Sequence, residues 1–155
     1  MTRADYLTTG FGLGKLPWAP GTWASLPPVV LYQVLGYLYP PVMVPCMVAF
    51  VLVGSWTCLT YGSIATKPGH FVADVLAGQA WTMFIIAVLS PANICNSMAL
   101  GFALYRLFDI LQPWPCSRLR QKPGGMGLLA DDLMAGTYAG AAAFMIILVM
   151  PVCFL

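Results

Sequence analysis

Aspartates are the side chains of this sequence best suited to chemistry, because a carboxylate can bind a cation, accept a proton or attack as a nucleophile. The chain has five aspartates and no glutamate. Four of them lie at the edges of apolar segments, namely Asp74, Asp109, Asp131 and Asp132, and Arg106 precedes Asp109 by one helical turn. Carboxylates that face one another need a bound cation or protons, so the pattern indicates a polar site that handles charge.

The composition excludes a soluble enzyme. The 155 residues are 60% apolar and only 8% charged, and the mean hydropathy is +0.82. Soluble domains carry roughly a quarter of their residues as charged side chains, so a chain this apolar is expected to be an integral membrane protein. A net charge of +2, spread along the chain, does not indicate a nucleic-acid surface.

Five apolar segments position the aspartates. They predict a single domain over residues 1–155, an all-α membrane bundle with about four to five spans. The first segment contains Pro27 and Pro28 near its start, so it is interpreted either as a tilted span or as a re-entrant piece. The predicted segments are 24–39, 42–61, 71–89, 97–111 and 132–155.

Basic residues set the expected orientation, because cytoplasmic loops retain Lys and Arg. With the N-terminus inside and five spans, every basic residue of the loops falls on one side of the membrane. The four aspartates then lie near the cytoplasmic headgroups and form a site on that face. The basic loop residues are Arg3, Lys15, Lys67, Arg118, Arg120 and Lys122.

Two structural interpretations compete with a shared site. Asp74 and Asp132 are expected to begin helices, where an aspartate caps free backbone N–H groups. Capping does not explain Asp109, at the end of its segment, although an ion pair with Arg106 would. We therefore favour a shared site. The spacing of Asp132, Gly136 and Gly140 also predicts a stripe of small residues where helices pack closely.

Other motifs carry less information. Gly10 to Lys15 is not a Walker A loop, although its successive glycines could present backbone N–H groups to an anion. Gly124 and Gly125 could let the backbone reach a headgroup, or simply form a turn. The five cysteines form no Cys-x-x-Cys pair and predict neither disulfides nor a zinc site, and His70 is interpreted as structural.

Three motif groups, in order and at matching spacing, resemble the phosphatidylglycerophosphatase A family. The resemblance runs from Gly10 to about Gly140 and so covers nearly the whole chain. The motifs are Gly10-Phe-Gly-Leu-Gly14 with Pro20-Gly-Thr22 and Ser25, then Tyr105-Arg-Leu-Phe-Asp109 with Pro113-Trp-Pro115, then Gly124-Gly-Met-Gly127 with Asp131-Asp132.

The resemblance implies a magnesium-dependent lipid phosphatase of the bacterial inner membrane that converts phosphatidylglycerophosphate to phosphatidylglycerol and phosphate. The partners implied are the phospholipid substrate and the membrane, and the oligomeric state is left open. The expected catalytic residues are Asp74, Asp109, Asp131 and Asp132, of which Asp74, Asp131 and Asp132 would bind Mg²⁺. The expected substrate-binding residues are Lys15, Thr22, Ser25, Arg106, Gly124 and Gly125.

One departure from the family pattern supports an alternative. The family typically has Asp-Glu in the third segment, whereas this chain has Asp74 followed by Val75. The alternative is a catalytically degenerate protein that binds lipid or scaffolds a partner. A small transporter is a third possibility, but the aspartates cluster at one face and the first two spans are uncharged, which disfavours a path through the membrane.

Overall fold

The described part of the chain contains helices and no strands, which confirms the all-α prediction. The computed structural model describes residues 8–10, 12–15, 18–62, 71–89, 94–122 and 124–149. Lys67 and His70 lie outside these residues, and so do the side chain of Lys15 and the chain ends. After a 3-10 turn at Leu13–Lys15, the helices are α1 (Pro20–Leu38), α2 (Pro40–Tyr61), α3 (Ala73–Leu89), α4 (Ile94–Leu111), α5 (Cys116–Leu119) and α6 (Gly125–Val149).

Prolines begin α1 and α2, where a missing backbone N–H costs nothing because the first turn of a helix has no partner for it. Tyr39 alone separates the two helices. The predicted start of the first segment was four residues too late. Pro27 and Pro28 lie inside α1, which is one continuous helix of 19 residues.

Helix α6 begins well before the predicted start of the last segment. It starts at Gly125, seven residues ahead of Asp132. Asp131 and Asp132 therefore lie about two turns inside the helix, where backbone N–H groups are already bonded to carbonyl oxygens. The capping interpretation of Asp132 was wrong.

Helix α3 lies at the centre of the bundle and contacts α1, α2, α4 and α6. Its approach to α6 is closest where glycines face it. A Cβ atom on Gly136 would lie 2.6 Å from the carbonyl oxygen of Gly78, and one on Gly140 would lie 2.7 Å from Cγ2 of Ile85. The Thr82 hydroxyl spans the same contact, 3.0 Å from the Gly78 carbonyl oxygen and 3.3 Å from that of Gly136. The predicted small-residue stripe is confirmed.

The large apolar core lies beyond this contact, away from the aspartates, and many large apolar side chains also remain exposed on the outer helix faces. By length and composition, α2 and α6 can each cross a membrane, and α3 is a shorter apolar helix. The four to five spans of the sequence prediction stay a prediction. The core cluster contains Val29, Tyr32, Met43, Met47, Met83, Ile86, Ala87 and Ala143.

The α3–α6 contact predicts that Gly136→Leu destabilises the protein. Helix propensity alone would favour Leu over Gly by about 0.8–1 kcal/mol. The side chain would nevertheless collide with the Gly78 carbonyl, and overpacking of this kind costs about 1–3 kcal/mol. We expect a lower Tm for the detergent-solubilised protein. The control is Ala141→Leu on the exposed face of α6, and an equal Tm for the two variants would contradict close packing.

Candidate active site

Three helices bring the four predicted carboxylates together at one end of the bundle. Asp74 lies in the first turn of α3, Asp109 in the last turn of α4, and Asp131 and Asp132 on α6. Asp132 interacts electrostatically with the other three. The structure therefore confirms that these residues converge.

Burying these carboxylates costs free energy unless other groups compensate for the lost hydration. Asp74, Asp131 and Asp132 are buried, and Asp109 is only 14% exposed at its side chain. A buried carboxylate needs hydrogen bonds or a cation to replace the water that it loses. Within the described residues, Oδ1 of Asp131 and Oδ2 of Asp132 have no hydrogen-bond partner. These two oxygens are free to bind a cation or a proton donor from outside the chain.

Arg106 joins α4 to the beginning of α1. It forms an ion pair with Asp109, and its Nη2 donates to the Thr22 hydroxyl at 3.3 Å. The guanidinium lies against Gly21, where a Cβ atom would be 3.4 Å from both Nη atoms. Two of the predicted substrate-binding residues, Arg106 and Thr22, are therefore in contact beside the carboxylates.

Asp131 has partners that the sequence prediction missed. Its Oδ2 accepts hydrogen bonds from Gln112 Nε2 at 3.1 Å and from Arg120 Nη1 at 3.3 Å. Cys116, buried at the start of α5, lies near this carboxylate. Burial first, and the Asp131 charge second, raise the pKa of the Cys116 thiol, so the thiol stays protonated.

Gln112 takes an unusual backbone conformation to reach Asp131. It follows the last residue of α4 with a φ of 44°, in the left-handed region that glycine usually occupies after a helix. Its N–H caps the helix by donating to the Phe108 carbonyl oxygen at 2.9 Å. The side-chain bond to Asp131 helps to offset the backbone cost. The sequence did contain a sign of this role, because Gln112 is a polar residue directly after the helix that carries Asp109.

Asp74 is bonded locally at the start of α3. Its Oδ1 accepts the Val75 N–H at 2.8 Å, one of the free N–H groups of a first turn, so part of the capping interpretation holds for Asp74. The Val75 side chain packs with Tyr105, Ala135 and Ala139. Val75 therefore lies among the three helices that carry the carboxylates.

The structure gives other predicted substrate-binding residues a local role. The buried Ser25 hydroxyl donates to the Thr22 carbonyl oxygen at 2.8 Å. Gly125 lies directly against the Cys58 carbonyl, so α2 and α6 meet there without room for a side chain. Gly124 precedes α6 with a φ of 78° and is exposed. Substrate binding by Ser25, Gly124 and Gly125 stays a prediction.

The glycine-rich loop near the N-terminus already uses two of its backbone donors. The Gly12 N–H donates to Thr9 Oγ1 at 3.1 Å, and the Gly14 N–H donates to the Thr9 carbonyl oxygen at 2.9 Å. Neither is available to an anion in this conformation. The side chain of Lys15, also predicted to bind substrate, lies outside the described part of the chain.

The carboxylates suit a hard cation such as Mg²⁺, because oxygen is the ligand atom that this ion prefers. In the described part of the chain, no three His, Cys, Asp or Glu side chains are arranged to hold one ion together. Mg²⁺ usually takes only one or two carboxylates and completes its shell with water and substrate phosphate. The unpartnered oxygen of Asp132, near Asp74, fits an ion held in that way.

Residues 6–147 match the phosphatidylglycerophosphatase A family. The chain belongs to this family. The resemblance found in the sequence is thereby confirmed, and the family is one of phosphatases.

Individual relatives agree in length as well as in sequence. The chain is 26% identical over 141 residues to phosphatidylglycerophosphatase A of Escherichia coli and 32% identical over 144 residues to that of Haemophilus influenzae, covering 81% and 86% of those proteins. It is 31% identical over 149 residues to a Bacteroides thetaiotaomicron protein provisionally named a phosphatidylinositol-3-phosphatase, covering 92% of it. Each alignment spans 90% of this chain. No solved structure gives a significant match.

The Arg106–Thr22 contact predicts that Thr22→Val reduces phosphatase activity. The substitution keeps the shape of the side chain and removes the acceptor for Nη2, so the guanidinium loses one of its two anchors. Hydrogen bonds to charged groups contribute about 1.5–3 kcal/mol, and partial exposure of Arg106 reduces this, so we expect a fall in kcat/KM of about one order of magnitude.

Thr60→Val, at an exposed position on α2, is the matched control for Thr22→Val. Unchanged kcat/KM in Thr22→Val would mean that this contact does not position Arg106.

Proposed function

We propose that this protein is a magnesium-dependent lipid phosphatase that releases the terminal phosphate of phosphatidylglycerophosphate at the cytoplasmic face of a bacterial inner membrane. The observation that carries the proposal is the convergence of Asp74, Asp109, Asp131 and Asp132, with unpartnered carboxylate oxygens, in a member of a phosphatase family. Phosphatidylglycerophosphatase A is the name of two of its relatives.

The residues suited to hold the ion are Asp74 and Asp132, with Asp131 as the third predicted ligand. Asp131 is less free, because Arg120 and Gln112 already bond its Oδ2. When bound, Mg²⁺ would neutralise phosphate charge and lower the pKa of a bound water. The side chains of the site would bind and orient the substrate and transfer protons.

Hydrolysis joins a water oxygen to phosphorus and breaks the bond between phosphorus and the glycerol oxygen. The water must lose a proton, and the glycerol oxygen must gain one. Asp109 forms an ion pair with Arg106, which favours its charged form, and only the charged form can accept the proton from water. Arg106 would hold a phosphate oxygen from the same side, because a guanidinium donates several parallel hydrogen bonds.

The surface of the bundle supports a location in the membrane. Exposed apolar side chains cover α2, including Leu52, Val53, Trp56 and Leu59, while the charged groups of the site lie at one end of the bundle. Large exposed apolar areas are unfavourable in water and favourable in lipid. A multi-pass arrangement of four to five spans would place the site at headgroup level, and the basic loop residues favour the cytoplasmic side.

A second substrate has support from one comparison. The Bacteroides relative, at 31% identity, carries a name that refers to phosphatidylinositol 3-phosphate. Both lipids present a phosphate monoester on a polar headgroup, so a site of carboxylates and arginine could act on either. The two substrates must therefore be compared directly.

The proposal predicts phosphate release from phosphatidylglycerophosphate in mixed micelles with Mg²⁺, and loss of this activity in EDTA. Asp132→Asn removes a cation-binding oxygen and should lower kcat/KM by at least about a hundredfold. Loss of a residue that only bonds to a metal ligand already costs up to about a hundredfold, and loss of a ligand itself should cost no less. Its Tm should not fall, because the variant removes a buried negative charge.

Phosphatidylinositol 3-phosphate is assayed in parallel with phosphatidylglycerophosphate. Faster release from the inositol lipid would replace the proposed substrate. Release of phosphate in EDTA at the full rate would contradict the magnesium dependence.

Val75→Glu tests whether the missing family carboxylate matters. The wild-type protein should be active without it, and Val75→Glu should lower the Mg²⁺ concentration needed for half-maximal activity, because it adds a carboxylate directly after Asp74 in the first turn of α3. Val75→Gln, which introduces a side chain of the same size as Glu but without its charge, should leave this Mg²⁺ concentration unchanged. An inactive wild type and an inactive Val75→Glu variant that both bind lipid vesicles would favour the degenerate alternative.

A further inference from the structure

Arg120 is a half-exposed cation beside an otherwise buried acidic cluster. Its side chain is 49% exposed, whereas that of its partner Asp131 is 3% exposed. The residue directly follows the short helix α5, and its N–H donates to the Cys116 carbonyl oxygen at 3.0 Å. Its charge acts on all four carboxylates of the site.

Arg120 is held more loosely than Arg106. Arg106 bonds both Asp109 and Thr22 and is only 18% exposed. Among the described residues, the side chain of Arg120 has one hydrogen bond, to Asp131 at 3.3 Å, which is long for a charge-assisted contact. Most of the donors of its guanidinium are therefore available for another acceptor.

Gln112 would keep Asp131 in place if Arg120 moved. It donates at 3.1 Å to the same Oδ2 atom. Losing the bond from Arg120 would then not strand that buried oxygen without a partner, which is the costly outcome when one member of a buried pair is removed. The structure thus provides a second donor for Oδ2 of Asp131 when Arg120 leaves it.

The negative charge of the site favours a cationic side chain that can face a bound phosphate. With every carboxylate ionised and no cation bound, the four carboxylates and the two arginines carry a net charge of about −2, and a phosphate monoester brings close to two further negative charges at neutral pH. Electrostatic repulsion opposes its approach unless positive groups face it. A guanidinium matches phosphate oxygens with two parallel hydrogen bonds, which an ammonium group cannot do.

We propose that Arg120 is a phosphate-binding residue of this site, held by Asp131 when the site is empty and turned to the phosphate monoester of the substrate when it is bound. The inference rests on the proposed function only in taking a phosphate monoester as the ligand. Gln112 is then a positioning residue, which holds Asp131 while Arg120 is engaged elsewhere.

The test compares Arg120→Gln and Arg120→Lys with the control Arg118→Gln. Arg118 is an exposed arginine two residues earlier, whose Cζ lies 6.0 Å from the centre of the Trp114 ring. Arg120→Gln should raise KM and the inhibition constant of inorganic phosphate by about tenfold, since charge-assisted hydrogen bonds are the stronger ones and this one is partly exposed to water. kcat should change by less than about threefold. Arg120→Lys should recover part of the loss, and Arg118→Gln should behave as wild type.

A purely structural role predicts a different result. If Arg120 only neutralises Asp131, Arg120→Gln would lower kcat or Tm and leave the inhibition constant of phosphate unchanged. The double variant Asp131→Asn with Arg120→Gln would then regain the Tm that Arg120→Gln alone loses. Either result overturns the proposal. Should Arg120→Gln fail to fold, Arg120→Lys decides alone: a raised inhibition constant with normal Tm supports phosphate binding, and an unchanged constant overturns it.

A second readout separates this inference from the proposed function. Inorganic phosphate with Mg²⁺ should raise the Tm of the wild-type protein, and this rise should shrink in Arg120→Gln and persist in Arg118→Gln. If the wild type hydrolyses neither lipid yet shows this pattern, the proposed function fails and the assignment of Arg120 stands. An equal rise in wild type and Arg120→Gln overturns the assignment, whatever the activity.

Discussion

Repulsion among buried carboxylates is the interaction on which the arrangement at this end of the bundle depends. Three helices bring four negative charges into a space from which water is largely excluded, and mutual repulsion there is much stronger than in bulk water. Arg106, Arg120 and Gln112, together with the backbone N–H of Val75, compensate part of it. The carboxylate oxygens without a hydrogen-bond partner mark where a bound cation would relieve the most repulsion.

The two neighbouring aspartates of α6 are not equivalent, although they are adjacent in sequence. Asp131 points to α5 and the residue after α4, and it is bonded by a guanidinium and an amide. Asp132 lies among the carboxylates of α3 and α4. Successive residues on a helix are rotated by about 100°, so Asp131 faces Arg120 and Gln112 while Asp132 faces the carboxylates of α3 and α4. A single aspartate at either position could not make both sets of contacts.

Much of this arrangement was predictable from residue types and spacing. The five apolar segments matched the five long helices, and Asp132, Gly136 and Gly140 correctly indicated a close helix contact. The beginning of α6 was not predictable in the same way, because residues 125–131 include glycines that are poor helix formers, and tertiary contacts with Cys58 and Lys122 stabilise them. Arg120 and Gln112 were missed as site residues because their partner lies on another helix, and periodicity within one segment carries no information about such pairs.

The glycine contact between α3 and α6 has a mechanical consequence for the site. Asp74 and Asp132 each lie four residues from the glycine of their own helix at that contact, so both are anchored about one turn from the stiffest point of the bundle. Backbone atoms in direct contact cannot approach further, and separating them would open a void in an apolar core. The direct contact between the backbones of α3 and α6 therefore fixes the separation of Asp74 and Asp132, and with it the spacing of the charges that α3 and α6 contribute.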